Sequence, residues 1–413
     1  MVDYQSQQQF FHWKADFKTT FSYAMIDLST IIHVKKTDEL HRIIPQLEKA
    51  DRIAIDTEAD SLHHYFEKVC LLQVSVPGLD AIIDPLADID LSPLMDVLAR
   101  KTLIIQGADY DLRMMNRDYN FHASSIFDTM LAAQILGYER FSYAALVEKH
   151  IGITLSKHGQ KADWSQRPLP EKLITYAAAD THYLTEVAEK LEAELVEAGR
   201  LSWLEESCER LLGYVAEGMR VPDPEKQWRV KGWHSLKPGR GWAFLRELWK
   251  WRDTESQRAD FPPFKIMRNE TLVQIALWAQ NGFKPEETPK IPRNIQGRRR
   301  REMDQALAVA RQMAPSDFPR PLESPRRRQP ALNEQLLCDI KKVRDHHATE
   351  LGLDPGFLLS ASTISALAAA SPATDDDLTG AGLFRWQVGL MGADILDTVR
   401  KSAEVNRTAE TPA

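Results

Sequence analysis

Hydrophobic and polar positions recur with two different periods along the first half of the chain, and they predict alternating helices and strands. An amphipathic helix capped by Thr37 is predicted for TDELHRIIPQLEKA, and a buried strand for RIAIDTEAD. Two further apolar runs, VCLLQVSV and DAIIDP, are separated by Pro77-Gly78, which is typical of a hairpin turn. The pattern therefore predicts three consecutive strands after the first helix.

Strand and helix alternate beyond this point. Helices are predicted for SPLMDVLAR and YDLRMMNRDY, a strand for TLIIQG, and a short strand running into a helix for IFDTMLAAQILGY. After Glu171 the pattern is helical to Glu217. A mixed sheet that begins with antiparallel strands and ends with β-α-β crossovers indicates an α/β fold with helices on both faces.

Proline-rich breaks divide the rest of the chain into helical modules. A linker is predicted at VPDPEKQW and a second one between Pro315 and Pro330, and 413 residues are too many for one core. We therefore expect a polar N-terminal extension at 1–29, an α/β domain at 30–217, all-α domains at 225–314 and 331–403, and a disordered tail at 404–413.

Charge is distributed unevenly. The net charge of −7 argues against a wholly basic nucleic-acid-binding protein, but between Arg220 and Pro330 there are 24 basic and 13 acidic residues. Arg298–Arg301 and Arg326–Arg328 concentrate this charge near several tryptophans, a combination that binds single-stranded nucleic acid. Tryptophans at helical spacing, such as Trp242 and Trp249, are more often part of a core, and arginine runs are often solvated linkers.

Cysteine and hydropathy patterns exclude several classes of protein. Cys70, Cys208 and Cys338 form no C-x-x-C pair, so neither a disulfide framework nor a zinc site is predicted, and a reducing cytoplasm fits. No apolar stretch of about 18 residues is present to span a bilayer. The N-terminal residues lack the features of a signal peptide, and Met25 is a conceivable true start. We expect a cytoplasmic protein without membrane partners.

Two pairs of polar residues, far apart in the chain, carry the candidate chemistry. Asp56 and Glu58 alternate along a predicted strand, so they project from one face while Thr57 points to the other. Tyr176 and Asp180 are four residues apart on a predicted helix, so they share one surface. Hard ions such as Mg²⁺ or Mn²⁺ prefer carboxylate oxygens, and the pattern is what a two-metal phosphodiester hydrolase needs.

A fourth acid is required from the region between these pairs, and three residues compete. Asp111 opens the helix after TLIIQG, where a carboxylate is favourable with or without a catalytic role. Asp128 stands at a strand-to-helix junction and suits an N-cap, and Asp109 suits a plain cap best. Each motif by itself is also compatible with a solvated strand end or a surface pair.

These ordered motifs resemble the DEDD exonuclease superfamily, in the subgroup that carries a tyrosine, and within it the ribonuclease D family. The matching segments are AIDTEAD with CLLQVS, LIIQGADYDLRMM, and LITYAAADTHYL preceded by KADWSQRPL. The resemblance covers about Thr30 to Glu194 and implies a ribonuclease H-like (DnaQ-like) exonuclease domain. The helical region after Gln227 resembles, in two segments, the HRDC domain, which occurs as two tandem copies after the nuclease in ribonuclease D.

By this resemblance the metal ligands are Asp56, Glu58, Asp111 and Asp180, which would hold two divalent ions, Mg²⁺ or Mn²⁺, with Asp56 bridging both. Tyr176 would orient the attacking water. Asp111 matches the family's motif register, since Asp-Leu occurs there. Many relatives carry His or Asn before the acid of the second motif, whereas this chain carries Gln106. The difference concerns substrate contacts more than chemistry. Four residues near the motifs are left outside the predicted site: Leu62, His63, Gln73 and Tyr110.

The implied activity is that of a 3′-5′ exoribonuclease that hydrolyses phosphodiester bonds by two-metal-ion catalysis and releases 5′-mononucleotides. Its partner would be RNA with a free 3′ end, such as tRNA precursors, and the protein would be a monomer. One alternative is a 3′-5′ exonuclease that acts on DNA, because HRDC-like modules also occur in DNA helicases. Another is a catalytically inactive RNA-binding module, which the presence of all four acids and the tyrosine disfavours.

Overall fold

The computed structural model describes residues 30–156, 159–218, 223–321 and 334–409. The expected N-terminal extension, most of the second proline-rich break and Arg326–Arg328 lie outside these residues. Within them, the α/β part and the two helical parts that follow have hydrophobic cores of their own.

The α/β part consists of strands and helices in alternation. Its strands are β1 (Ile31–Val34), β2 (Arg52–Ala59), β3 (Val69–Val76), β4 (Leu79–Ile83), β5 (Thr102–Ile105) and β6 (Ser125–Asp128). Its helices are α1 (Thr37–Lys49), α2 (Ser92–Leu98), α3 (Asp109–Tyr119), α4 (Thr129–Ile135), α5 (Tyr143–Ile151), α6 (Glu171–His182), α7 (Leu184–Glu197) and α8 (Leu201–Ala216).

The strands form one mixed sheet in the order β1-β4-β3-β2-β5-β6. Strands β2, β3 and β4 pair antiparallel in sequence, and β5 and β6 join parallel to β2 through helical crossovers. Gly78 has φ +79° in the turn between β3 and β4, a conformation that glycine adopts without strain. The predicted mixed sheet and hairpin are therefore confirmed. Strand β1, parallel to β4 at the edge, was not predicted, because four residues are too short to show a period.

Helices cover both faces of the sheet. Ile53, Ala54 and Ile55 are all fully buried although successive residues of a strand point to opposite faces, so each face is packed. Helix α6 packs on β2, β3 and β4, where Ala177 and Ala178 are buried. These small side chains let α6 approach the sheet closely.

The predicted cap of α1 by Thr37 is wrong. Thr37 is the first residue of the helix, and its hydroxyl accepts a hydrogen bond from the backbone N–H of Asp90 at 3.2 Å. The residue before it, Lys36, is the N-cap and makes no side-chain cap. The Glu39 carboxylate instead accepts a hydrogen bond from the backbone N–H of Lys35 at 2.8 Å. This carboxylate in the first turn therefore fixes the backbone just before the helix.

The remaining described elements are helical. The first group comprises α9 (Pro224–Gln227), α10 (Arg240–Ala259), α11 (Pro263–Ile266), α12 (Asn269–Gln280) and α13 (Gly297–Gln312). The second comprises α14 (Glu334–Leu351), α15 (Pro355–Leu358), α16 (Ala361–Ala370), α17 (Asp375–Gly380) and α18 (Arg385–Ala409). No helix in the described ranges has the length and apolar character needed to cross a bilayer.

Tryptophans of the first group pack inside it. Trp228 is fully buried, and Trp242 and Trp251 are each 7% exposed in the same core. Trp249 is half-buried and packs against that core. The interpretation of these tryptophans as core residues is confirmed.

The second helical group is attached to α8. The rings of Trp203 and Trp386 are stacked with centroids 4.5 Å apart. The Arg210 guanidinium donates to the carbonyl of Leu383 at 2.8 Å, and Glu206 accepts from the backbone N–H of Arg385 at 2.7 Å. The group is therefore bound to the α/β part by stacking and by directional hydrogen bonds.

The interpretation of Arg298–Arg301 as a solvated linker is wrong. These residues form the first turn of α13, and Arg298 and Arg299 donate to the carboxylate of Glu255 at 2.9 and 2.7 Å. Glu255 is only 1% exposed, so these guanidinium groups offset the cost of burying its carboxylate. Arg300 pairs with Asp304 on the surface.

The expected disordered tail is also wrong as far as Ala409, where α18 ends. Ile395 and Val399 are buried in the core of the second group, and a helix that is already nucleated there extends at little cost. Residues 410–413 lie outside the described residues.

We expect Glu255→Ala to lower the free energy of unfolding by about 1.5–3 kcal/mol, because it removes the buried carboxylate that accepts charge-assisted hydrogen bonds from the partly exposed guanidinium groups of Arg298 and Arg299. Chemical denaturation of the full chain measures this change. The matched control is Glu302→Ala, which removes a more exposed partner of Arg258 and Arg298 and should change stability by about 1 kcal/mol or less. Equal effects of the two substitutions would contradict the structural role of Glu255.

Candidate metal centre

Carboxylates from distant parts of the chain meet near the C-terminal end of β2. Oxygen atoms of Asp56, Glu58 and Asp180 all lie within 4.8 Å of one another. Asp56 and Glu58 project from one face of β2, and α6 crosses that face and brings Asp180 to them. Asp56 and Glu58 from the strand and Asp180 from the helix thus contribute oxygen atoms to one cluster.

Asp111 lies beside this cluster. It is 7% exposed in the first turn of α3, and the Thr57 hydroxyl donates a hydrogen bond to its carboxylate. Its charge contributes to the raised pKa of Asp56 and of Glu58, so it is close to both. Thr57 points to the face of β2 opposite to that of Asp56 and Glu58. Its contact with Asp111 could not be predicted from periodicity alone.

The competing acid Asp109 is a surface residue. Ala108 is the N-cap of α3, so the prediction of Asp109 as a cap is wrong. The Asp109 carboxylate instead accepts from Arg113 one turn later, at 2.8 Å. Such an exposed pair at i, i+4 contributes little to stability.

The other competing acid, Asp128, is the N-cap of α4. Its carboxylate accepts from the backbone N–H groups of Met130 and Leu131 at 2.8 and 3.2 Å. It also accepts from Gly107 and Ala108, and this binds the start of α4 to the turn that precedes α3. The interpretation of Asp128 as a cap is confirmed, and these four bonds occupy its oxygens.

Tyr176 faces Asp180 along α6 and is held from two sides. Its phenol hydrogen-bonds the Asp180 carboxylate. The indole of Trp164, 1% exposed, packs against the phenol ring with centroids 6.1 Å apart. A side chain at Gly159 would come within 2.2 Å of the same ring, so only glycine fits there. Gly159 and Trp164 lie outside the site residues that the sequence predicts, although KADWSQRPL contains Trp164.

Arg167 fixes the segment that carries Trp164. Its guanidinium donates two hydrogen bonds to the Asp84 carboxylate, both at 2.6 Å, a bidentate geometry that is strong and directional. It also donates to the carbonyl groups of Trp164 and Cys70 at 2.7 and 2.8 Å. The support of the Tyr176 ring is therefore anchored to β3 and to the end of β4.

Burial raises the pKa of all four acids. The pKa of Glu58 is raised to about 9, that of Asp180 to about 7 and that of Asp111 to about 6, with desolvation as the main cause. The pKa of Asp56 is raised well above its usual range by desolvation and then by the negative charge of Asp111 and Asp180. A divalent cation would offset this repulsion and favour the ionised carboxylates.

We expect binding of Mn²⁺ to become stronger as pH rises through neutrality. Because the pKa values of the acids are raised in the folded state, the metal-free folded protein holds more protons than the unfolded chain between about pH 4 and about pH 7 to 9. The free energy of unfolding of the metal-free protein therefore falls as pH rises through this window. Mn²⁺ must displace these protons, so it should raise Tm more at about pH 8 than at about pH 6 in thermal unfolding.

The control for this measurement is Asp109→Asn, because Asp109 is an exposed acid outside the cluster. It should keep the pH dependence of the unchanged protein. An Mn²⁺ effect on Tm that is the same at both pH values would contradict the raised pKa values of the acids.

Gln73 places a buried amide beside Asp56. The two residues are paired across the antiparallel β2–β3 ladder, so their side chains share a face of the sheet. Gln73 is fully buried, and neither its Nε2 nor its Oε1 has a hydrogen-bond partner among the described residues. An unpaired buried amide destabilises a protein, and this one lies at the carboxylate cluster.

We expect Gln73→Met to raise the free energy of unfolding of the metal-free protein by about 1–3 kcal/mol, because it removes unpaired polar atoms at similar volume. Chemical denaturation in EDTA measures this. Gln106→Met is the matched control, since Gln106 donates to the Phe141 carbonyl at 3.0 Å and accepts from Thr129 at 2.6 Å, and it should destabilise. Destabilisation by both substitutions would show that the amide of Gln73 has a partner.

Several known proteins are similar to this chain. Residues 31–196 match the family model described as 3′-5′ exonuclease, and residues 243–278 and 333–399 match that of the HRDC domain. Ribonuclease D of Zymomonas mobilis is 34% identical over 256 residues, which are 60% of this chain and 64% of that protein, less than two thirds of its length. Ribonuclease D of Jannaschia sp. is 29% identical over 376 residues, which are 88% of this chain and 94% of that protein.

The fold is also shared with a solved structure. The crystal structure of Escherichia coli RNase D superposes on this chain with a TM-score of 0.66 at 23% identity. The superposition covers 89% of this chain and 98% of that one, so it includes the α/β part and the helical groups.

Proposed function

We propose that the chain is a ribonuclease D-like 3′-5′ exoribonuclease, which hydrolyses RNA from a free 3′ end with two divalent metal ions and releases 5′-mononucleotides. The observation that carries this proposal is the group of oxygens from Asp56, Glu58 and Asp180 within 4.8 Å of one another, with Tyr176 hydrogen-bonded to Asp180. Carboxylates this close repel each other unless they are protonated or bind a cation.

The donor set fits hard divalent ions. Its members are carboxylates, the ligands that Mg²⁺ and Mn²⁺ prefer. We propose that Asp56, Glu58 and Asp180 hold one ion and that Asp56 and Asp111 hold the second. When bound, such ions lower the pKa of a water molecule and stabilise the charge on the departing 3′ oxygen. Thr57 orients Asp111 by donating a hydrogen bond to it, a contact that keeps a ligand in place without itself binding metal.

Tyr176 orients the attacking water in this proposal. Burial raises the pKa of its phenol, so the hydroxyl remains protonated at neutral pH and acts as a hydrogen-bonding group and not as a base. Asp180 receives the phenol hydrogen bond, while Trp164 and Gly159 limit the movement of the ring. The angle at which water meets the phosphate depends on this packing.

We propose tRNA precursors as substrates, and a monomer that acts in the cytoplasm. The E. coli protein with this fold is described as an exoribonuclease involved in structured RNA processing, which supports an RNA with a structured body and a free 3′ end. The basic surplus between Arg220 and Pro330 supports a polyanionic partner. The three cysteines are free thiols, which suits a reducing compartment.

We expect Tyr176→Phe to slow the release of mononucleotides from single-stranded RNA by about 10²-fold while Mn²⁺ affinity is kept, because the phenol orients water without binding metal. Asp56→Ala should cause a larger loss, since it removes a ligand proposed to be shared by both ions. Mn²⁺ titrations and product analysis with the full chain measure both effects. Asp109→Ala, an exposed acid near the site, is the control and should retain activity.

Undiminished activity in both variants would refute the roles of Asp56 and Tyr176. No Mn²⁺-dependent release of mononucleotides by the unchanged protein would favour an inactive RNA-binding module. Faster degradation of a DNA oligomer than of the matching RNA would favour the DNA exonuclease.

A further inference from the structure

A hydrogen-bonded joint connects the first helical group to the rim of the metal centre. The imidazole of His64 lies between two partners: its Nδ1 is 2.7 Å from the carboxylate of Asp260, and its Nε2 is 2.9 Å from the hydroxyl of Ser165. His64 belongs to the loop after β2, Ser165 to the segment before α6, and Asp260 to the end of α10. We refer to these three residues as the His64 joint.

The end of α10 is held to the loop by more than the imidazole. The second oxygen of Asp260 accepts from the backbone N–H groups of Tyr65 and Phe66 at 3.0 and 3.2 Å. The Tyr65 hydroxyl donates to Asp253, nearly two turns earlier on α10, at 2.8 Å. Asp260 itself has φ +48°, a left-handed conformation that Asp tolerates better than most residues. The helix end and the loop are therefore connected in a defined orientation.

The loop continues directly into the acids of β2. Asp60, two residues after Glu58, is fully buried, and its carbonyl accepts from the N–H groups of His63 and His64 at 2.7 and 2.9 Å. Its carboxylate accepts from the backbone N–H of Lys68 at 2.9 Å and pairs with the Lys68 ammonium. Hydrogen bonds therefore fix this loop to Asp60 at both ends, directly after the acids of β2.

The other side of the joint leads to Tyr176. Ser165 donates to Asp163 at 2.5 Å and directly follows Trp164, the indole that packs against the phenol ring. Arg167 fixes the far end of the same short segment on Asp84. A shift of Ser165 therefore moves Trp164, and with it the surface on which the Tyr176 ring rests.

We propose that the first helical group positions Tyr176 through the His64 joint, so that it sets the rate of hydrolysis and not only the affinity for RNA. Asp260, His64 and Ser165 are positioning residues in this scheme, because none of them belongs to the carboxylate cluster. The inference rests on the proposed function of that cluster. Small displacements of an orienting group are costly, since a shift of about 1 Å can slow a reaction by about 10²-fold.

The test compares two RNA substrates with the full chain: a dinucleotide, too short to extend far from the metal centre, and a single-stranded oligomer of about 20 nucleotides. We expect Asp260→Asn and His64→Ala each to lower kcat about 10-fold on both substrates, with KM for the dinucleotide unchanged. The losses of kcat should be less than additive in the double variant, because the two residues share the contact between His64 and Asp260.

Ser165→Ala keeps the contact between the loop and α10 but removes the hydrogen bond between His64 and the segment that carries Trp164. It should also lower kcat, so the inference stays testable if a change at Asp260 disturbs docking of the helical group. Gln257→Ala is the matched control, because the Gln257 side chain on α10 donates to the Tyr65 hydroxyl at 3.1 Å and to Asp253 at 2.8 Å, whereas its contact with Asp260 is a backbone hydrogen bond that the substitution keeps. It should retain the kcat of the unchanged protein.

Losses confined to KM for the long RNA would overturn the inference, since they would mean that the helical group only binds substrate. Full kcat in Ser165→Ala, or additive losses in the double variant, would also overturn it. If the unchanged protein released no mononucleotide with Mn²⁺, the proposed function itself would fail, and that result is distinct from any of these.

Discussion

The contact between α6 and the middle of the sheet is the constraint on which the rest of the structure depends. Asp56 and Glu58 leave β2 on one face, and only a helix lying close on that face can bring Asp180 within 4.8 Å of them. Ala177 and Ala178 make this approach possible, because larger side chains at these buried positions would separate helix and sheet. The same helix also presents Tyr176 to Asp180.

This arrangement is electrostatically unfavourable without a cation. Desolvation raises the pKa of the four acids, and mutual repulsion adds to this for Asp56 and Glu58. The surrounding structure must hold the carboxylates together against that repulsion. Thr57 donates a hydrogen bond to Asp111, and the phenol of Tyr176 hydrogen-bonds Asp180. A metal ion that binds at such a site can restore the folding free energy that the repulsion between the carboxylates costs.

The helical groups are bound to the α/β part at two different places. The second group is attached to α8 through the stacked pair Trp203 and Trp386, far in sequence from the metal ligands. The first group meets the loop that follows Glu58 and the segment that carries Trp164. Their similar helical patterns therefore do not imply equal roles, because in the described ranges the first group contacts the loop after Glu58 and the Trp164 segment, whereas the contacts named for the second group lie at α8.

Spacing along the chain is enough to predict which side chains share a face. A period of two put Asp56 with Glu58, and a spacing of four put Tyr176 with Asp180, because these relations depend only on local backbone geometry. The sequence also contained the order of strands and helices in the α/β part, apart from the short edge strand β1 and helix α5. Tertiary structure decided that Asp111 lies at the cluster, whereas Asp109 lies on the surface and Asp128 caps α4. It also decided that Arg298 pairs with Glu255 and that His64 meets Asp260. These contacts join residues far apart in the chain. Periodicity relates residues within one element, so contacts between elements depend on how whole elements pack together.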